Sequence, residues 1–336
     1  MVLRGINNLK ILLVDVDSKI PNIALMKIST YHKNTGNDVD IIKLGLSGYP
    51  SSKKLKNIDA KEYDHAYASC IFTSNKDYFK IINCQKVDIG GSGIDIYKNL
   101  PKNIDDLDQD YSIYPENNWS YGFITRGCIR NCYFCVVPKK EGKLSFYRRW
   151  QDIVKFKYTD FLDNNFLAYD KHKKILQELN DNNIHFKFNS GLDIRLADKE
   201  NMKLLSQSKY IGEFIFAFDN KKEYKIINNK MAIVQEFIPN NWRTKFDIYC
   251  HPDMPISDVI YRINWCRSKK ALPYLMRDKD CWNSPNKNFY VDLASYCNQP
   301  GIFKKMNFDE FLNARHTGKN RLERINYSLN LWNTNI

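Results

Sequence analysis

No apolar run in this 336-residue chain approaches the length needed to cross a bilayer. The longest, such as LKILLVDV at 9–16, suit a buried strand. No N-terminal stretch shows the basic, apolar and small-residue order of a secretory signal, so the expected location is the cytosol, with no membrane partner. There is no internal repeat and no low-complexity tract. A disulfide scaffold is also disfavoured. The nine cysteines are an odd number, and the chain is far longer than the small secreted domains that disulfides staple. Cys70, Cys84, Cys250, Cys266, Cys281 and Cys297 are scattered singly and read as small buried hydrophobes.

Hydrophobic residues make up 43% of the chain and aromatics 14%, enough for a packed core and too much for a wholly disordered chain. The length suits two ordinary domains, or one large one with an attachment. The formal net charge of +13 has two readings, a nucleic-acid partner or a solvated lysine-rich surface. The basic residues form no long block, and the densest patches are KK pairs and YRRW at 147–150, which favours the solvated surface.

The first hundred residues alternate between strand and helix patterns. Strands are expected at 9–16, 38–45, 65–74 and 86–93. A helix is expected over 21–36, opened by Pro21 and stopped by Gly36, and a short one over 75–84. This predicts a small Rossmann-like, doubly wound parallel sheet for 1–100. Residues 101–118 are polar and acidic and read as a linker or a wrapping loop. From Trp119 the alternation resumes, with strands within 119–125, 152–165, 184–195, 213–220, 246–252 and 271–278. Helices are expected over 171–183, over 197–208 with Asp198 as cap, and over 257–270 with Ser257 as cap. The fold class is therefore α/β: the Rossmann-like sheet, then a partial (β/α)6 barrel over 119–300, short of the eight strands that close one. A helical extension is expected over 301–336. The clusters TRGC, DNN, NSGLDIR, DN and HPD fall at the C-terminal ends of the expected strands, where such folds place their chemistry.

ITRGCIRNCYFCVVP at 124–138 holds Cys128, Cys132 and Cys135 in C-x3-C-x2-C spacing. A structural zinc site usually has four Cys or His ligands built from two pairs. Here there is no second pair, and the nearest histidine beyond the triplet is His172. A disulfide would leave an odd thiol. An iron–sulfur cluster fits better: three thiolates hold three irons of a cubane and leave the fourth iron open.

With aromatic Phe134 just before the third cysteine, the triplet resembles that of the radical S-adenosylmethionine superfamily. The resemblance implies a 4Fe–4S cluster on Cys128, Cys132 and Cys135, with S-adenosylmethionine chelating the open iron. It implies reductive cleavage to a 5′-deoxyadenosyl radical that abstracts hydrogen from a substrate, and an electron donor such as flavodoxin or ferredoxin. By the same resemblance, Phe134 lies along the adenine, and Asp163, Asn164 and Asn165 hold the cofactor's amino group in place of the usual glycines and acid. Ser190, Asp193 and Arg195 reach its ribose and carboxylate, and Asp219 faces the site. Plainer roles stand beside these. Asp193 and Arg195 suit a local ion pair, Asp219 and Asn220 suit a strand end, and His251 suits a satisfied loop histidine. The substrate stays open among small molecule, peptide and nucleic acid.

Residues 1–100 resemble the domain that precedes the radical core in the cobalamin-binding branch of that superfamily. The Asp-x-His-x-x-Gly loop that ligates cobalt there is missing, since His32 and His65 stand in other contexts. The expectation is a degenerate domain that has lost cobalamin, and the alternative is a cobalamin-dependent methyltransferase. DIGGSGID at 88–95 follows a strand and is a weak candidate for a nucleotide or phosphate contact. A nucleic-acid-binding protein with a structural metal remains the non-enzymatic alternative.

Overall fold

Short branched and aromatic runs alternating with amphipathic segments give the chain an α/β fold built mainly from parallel sheets. A computed structural model describes residues 8–46, 54–189, 191–239, 242–318 and 320–336. It divides into two units. The first holds residues 1–122, 132–142 and 151–156, and the second holds 123–131, 143–150 and 157–336.

In the first unit the strands are β1 (Lys10–Asp15), β2 (Asp38–Lys43), β3 (Lys56–Asp59), β4 (His65–Ser69), β5 (Phe79–Ile82), β6 (Lys86–Gly90) and β7 (Trp119–Gly122), with helix α1 over Ile23–Asn34. The main sheet runs β2-β1-β4-β6, all parallel. Leu12 and Val14 of β1 face one apolar cluster, and Ile11 and Leu13 face another that α1 joins through Leu25 and Met26. A central strand covered on both sides reads as such a continuous apolar run. α1 is capped by Asn22, whose side chain accepts from Leu25 N, rather than opened at Pro21. Gly36, at φ +81, follows its end.

One expectation changes here. Residues 75–84 are not a helix: Thr73–Asn75 make a 3-10 turn, and β5 then pairs in parallel with β3. Phe79 and Ile81 alternate into the cluster that holds Ile58, a period of two that a helix cannot satisfy. Of the two readings of 101–118, the wrapping loop describes it: Ile104, Ile113 and Tyr114 join the cluster with Leu13 and Leu25. Tyr114 also donates to Asp15 Oδ2 at 2.8 Å.

In the second unit, β8 (Thr125–Arg126) and β9 (Ser145–Phe146) form a small antiparallel pair. The parallel elements follow: β10 (Tyr158–Phe161), α2 (His172–Asp181), β11 (His185–Phe188), α3 (Lys199–Gln207), β12 (Lys209–Tyr210), β13 (Phe214–Ala217), α4 (Tyr224–Phe237), β14 (Thr244–Cys250), α5 (Ile256–Ser268) and β15 (Leu272–Arg277). β10, β11 and β12 are parallel neighbours, as are β13, β14 and β15, and Leu192 makes a parallel bridge to Phe216 of β13. Phe161, Phe186, Phe188, Phe216 and Phe246 fill the core of these strands. α2 buries Ile175, Leu176 and Leu179, as its spacing predicts. Asp198 and Asn201 form the capping box of α3. Ser257 is not the cap of α5: the helix follows Pro255 and has no side-chain cap. Helices α6 (Lys287–Cys297), α7 (Pro300–Lys305), α8 (Phe308–Arg315) and α9 (Arg321–Asn333) end the chain. Among the described residues no helix is long and apolar enough to cross a membrane.

Candidate functional site

The polar residues that follow β10, β11 and β13 meet in the second unit, around Cys128. Gly127, at φ +82, turns the chain out of β8 and into the cysteine segment, a conformation that suits glycine. Upstream of that turn the backbone is pinned by Asp163, which is fully buried. Its Oδ2 accepts from Ile124 N at 3.0 Å, and its Oδ1 accepts from Thr125 N and Thr125 Oγ1, each at 2.6 Å. Burial pushes this carboxyl up to about 6, with the Thr125 and Ile124 hydrogen bonds pulling the other way. Both oxygens are committed to residues 124 and 125, a role other than the cofactor contact expected of Asp163.

Asn165, 3% exposed, reaches the cysteine itself. Its Nδ2 is 3.7 Å from Cys128 Sγ and 3.2 Å from Asp193 Oδ2. Arg130 N is a second donor to the sulfur, at 3.3 Å. Asn165 Oδ1 is buried and has no hydrogen-bond partner among the described residues. Buried polar atoms are ordinarily paired, so this oxygen is left able to accept a hydrogen bond.

Asp193 caps a 3-10 turn through Arg195 N. It also accepts from Arg195 Nε at 2.6 Å and from Arg130 Nε at 2.8 Å. Burial by itself would raise this carboxyl. The hydrogen bonds and charges of Arg195 and Arg130 outweigh it and hold the group below the usual carboxylate range. Arg195 is paired a second time through Nη1 with Glu223. The structure thus brings Cys128, Asn165, Asp193 and Arg195 together. It adds Arg130 and Glu223, whose place no local sequence signal reveals, although Arg130 lies two residues after Cys128. As the residues stand, Arg195 is turned inward on Asp193 and Glu223.

Asp219 accepts from Tyr249 N at 3.1 Å, and burial raises its carboxyl. Asn164 is half-buried, and Ser190 lies outside the described residues. An open cavity of about 580 Å³ adjoins Cys128, lined also by Lys143, Ser145, Tyr169 and Asp170.

Cys128 belongs to the second unit, and Cys132 and Cys135 belong to the first. All three are half-buried, as is Cys84, which was expected to be buried, while Cys70, Cys250, Cys266, Cys281 and Cys297 are buried. Cys135 N donates to Cys132 O at 3.0 Å, closing a tight turn. Phe134 packs edge-on to Tyr133, which is 73% exposed. In the first unit Cys132 and Cys135 lie among exposed Tyr133 and Val136, and half-buried thiols there suit ligation better than core packing. Within the second unit, Cys128 with its two N–H donors has the chemistry of a cluster ligand.

The first unit offers less. His32 sets Nε2 3.1 Å from Tyr67 Oη and Nδ1 3.0 Å from Asn37 Nδ2, and burial, with His65 and Lys86 nearby, lowers it to about 4. His65 pairs with Asp88 at 2.9 Å. Both histidines are satisfied inside the fold. The glycines of DIGGSGID have a packing role. A Cβ at Gly91 would come within 2.3 Å of Cys70 O, and one at Gly93 within 2.6 Å of Phe72 C. These glycines let the loop lie directly on the backbone at 70–72.

The sequence matches no family model, and neither the curated proteins nor the solved structures give a match.

Proposed function

We propose that this chain is a radical S-adenosylmethionine enzyme, with Cys128, Cys132 and Cys135 as the ligands of a 4Fe–4S cluster and the strands from β10 to β15 as part of a partial barrel. The observation that carries the reading is the character of Cys128. It is a free, half-buried thiol in C-x3-C-x2-C spacing whose sulfur receives two N–H donors, one of them from an asparagine with an orphaned buried oxygen. When bound, the cluster supplies the electron that splits the sulfonium bond of S-adenosylmethionine, leaving a 5′-deoxyadenosyl radical to take hydrogen from the substrate. The chain's own part is to hold and orient. Asp163 fixes the backbone that leads to Cys128. Asn165 and Arg130 N steady the sulfur, and Asn165 Oδ1 is left to accept a hydrogen bond from a bound amine. Asp193, kept ionised by Arg130 and Arg195, keeps Asn165 in place.

The satisfied states of His32 and His65 support a front domain that works without cobalamin. A flavodoxin or ferredoxin would supply the electrons, and the substrate class is left open. Anaerobic reconstitution with iron and sulfide tests the reading. About four irons per chain are expected, with 5′-deoxyadenosine formed from S-adenosylmethionine under reductant. Cys132→Ala abolishes both. An undiminished cluster signal in that variant overturns the assignment.

A further inference from the structure

A second set of ligand-type side chains stands apart from the cysteines, where β14 and β15 end. His251 follows β14, and Asp278 and Asp280 follow β15, which pairs in parallel with β14 so that Cys250 lies beside Arg277. Asp278 N donates to Cys250 O at 2.8 Å, which ties the two loops together. One ligand atom from each of the three residues lies within 4.8 Å of the other two. We propose that His251, Asp278 and Asp280 form a binding site for a divalent transition cation.

The spacing and the support both favour an ion over a plain ion-pair cluster. His251 Nε2 is 3.5 Å from Asp280 Oδ2, too long for a charge-assisted hydrogen bond, which runs at about 2.7–2.9 Å. It suits two donors sharing one cation, since bonds of about 2.0–2.2 Å to a metal set donor atoms roughly 3–3.5 Å apart. Tyr249, outside the set, donates its hydroxyl to Asp278 Oδ2 at 2.8 Å and orients that carboxylate. Asp253 Oδ2 stands 3.6 Å from His251 Nδ1, on the side of the ring away from Asp280. Asp253 N donates to Nδ1 at 3.1 Å and fixes the orientation of the ring.

One imidazole and two carboxylates suit a cation of intermediate hardness, Mn²⁺ to Zn²⁺, rather than the iron–sulfur cluster that thiolates prefer. Three protein ligands leave coordination positions for water or for an oxygen donor of a bound molecule. The site lies at the C-terminal ends of its strands, as Asp193 and Asp219 do, so a cation there would meet ligands from the same side of the sheet.

The test is a titration of the full chain carrying Cys128→Ser, Cys132→Ser and Cys135→Ser, with Mn²⁺ alone followed by electron paramagnetic resonance and Zn²⁺ alone followed by calorimetry. Removing the thiols makes the outcome independent of the proposed cluster. The expected result is about one bound Mn²⁺ or Zn²⁺ per chain, weakened about ten-fold or more by Asp280→Asn and by His251→Gln. Asp280 is exposed, so its variant leaves folding intact, and Mn²⁺ titration of the chain with its cysteines present repeats the test if the triple variant folds poorly. Absence of binding by both cations, or affinity unchanged in either variant, overturns the proposal.

Discussion

Asn165 Nδ2 lies 3.7 Å from Cys128 Sγ and 3.2 Å from Asp193 Oδ2, so one amide after β10 joins the first cysteine of the triplet to the carboxylate after β11. Asn165→Ala removes a donor from the sulfur and one from a buried carboxylate. Hydrogen bonds to cluster sulfurs raise the reduction potential. The reconstituted variant should therefore show a more negative midpoint in an electrochemical titration. Its stability should fall by about 1–3 kcal/mol, with iron content near that of the unaltered chain.

Asp193 titrates below the ordinary carboxylate range because Arg195 and Arg130 outweigh its burial. A depressed folded value contributes stability above the unfolded value, and that stability is lost as pH falls through the folded one. Urea unfolding at pH 5 and pH 3 should show the unaltered chain losing more stability than Asp193→Asn. At neutral pH the variant should be less stable by about 2 kcal/mol. This allows for the partial exposure of Arg130, which screens its share of the pairing.

Asp163 has the opposite sign. Burial lifts it to about 6, so the folded chain takes up this proton before the unfolded chain does. Its contribution is fully present below the unfolded value and is lost as pH rises through about 6. Asp163→Asn lacks this term and also mismatches the two backbone donors at 124 and 125. Calorimetric melting should show the unaltered chain gaining on the variant between pH 7 and pH 4, by an amount on the order of 2–3 kcal/mol.

Asp292 organises the C-terminal helices from a fully buried position on α6. It accepts from His316 Nε2 at 3.0 Å, Arg324 Nε at 2.9 Å and Ser328 Oγ at 3.0 Å, with Arg315 Nε at 3.3 Å. Asp292→Ala leaves two guanidinium groups without their carboxylate and should cost about 3 kcal/mol or more. Limited proteolysis should then cut within 305–336 well before the rest of the chain.

Much of the architecture was legible because its signals are local. β1 shows as LKILLVDV, α2 as apolar positions three and four apart, and α3 by its Asp198 cap. β5 was hidden because FKII fits one turn of helix as well as a short strand. Its partner β3, KNID, offers only Ile58 as an inward residue. The cysteine triplet could be read directly, and so could the polar residues at the strand ends. Their division of labour could not. Asp163 takes its role from backbone donors 38 and 39 residues away, and Arg130 meets Asp193 across 63 residues. In sequence the glycines at 91 and 93 were only a weak candidate for a phosphate contact. Only the backbone at 70–72 explains why a side chain cannot stand there.

The claim at the centre is that three thiolates leave one iron of the cluster free for S-adenosylmethionine. Mössbauer spectroscopy of the ⁵⁷Fe-reconstituted chain, with and without S-adenosylmethionine, tests it most directly. The account predicts that one iron separates from the rest and changes its parameters when S-adenosylmethionine is added. A spectrum that the compound leaves unchanged, or a chain that takes up zinc and no iron, contradicts it.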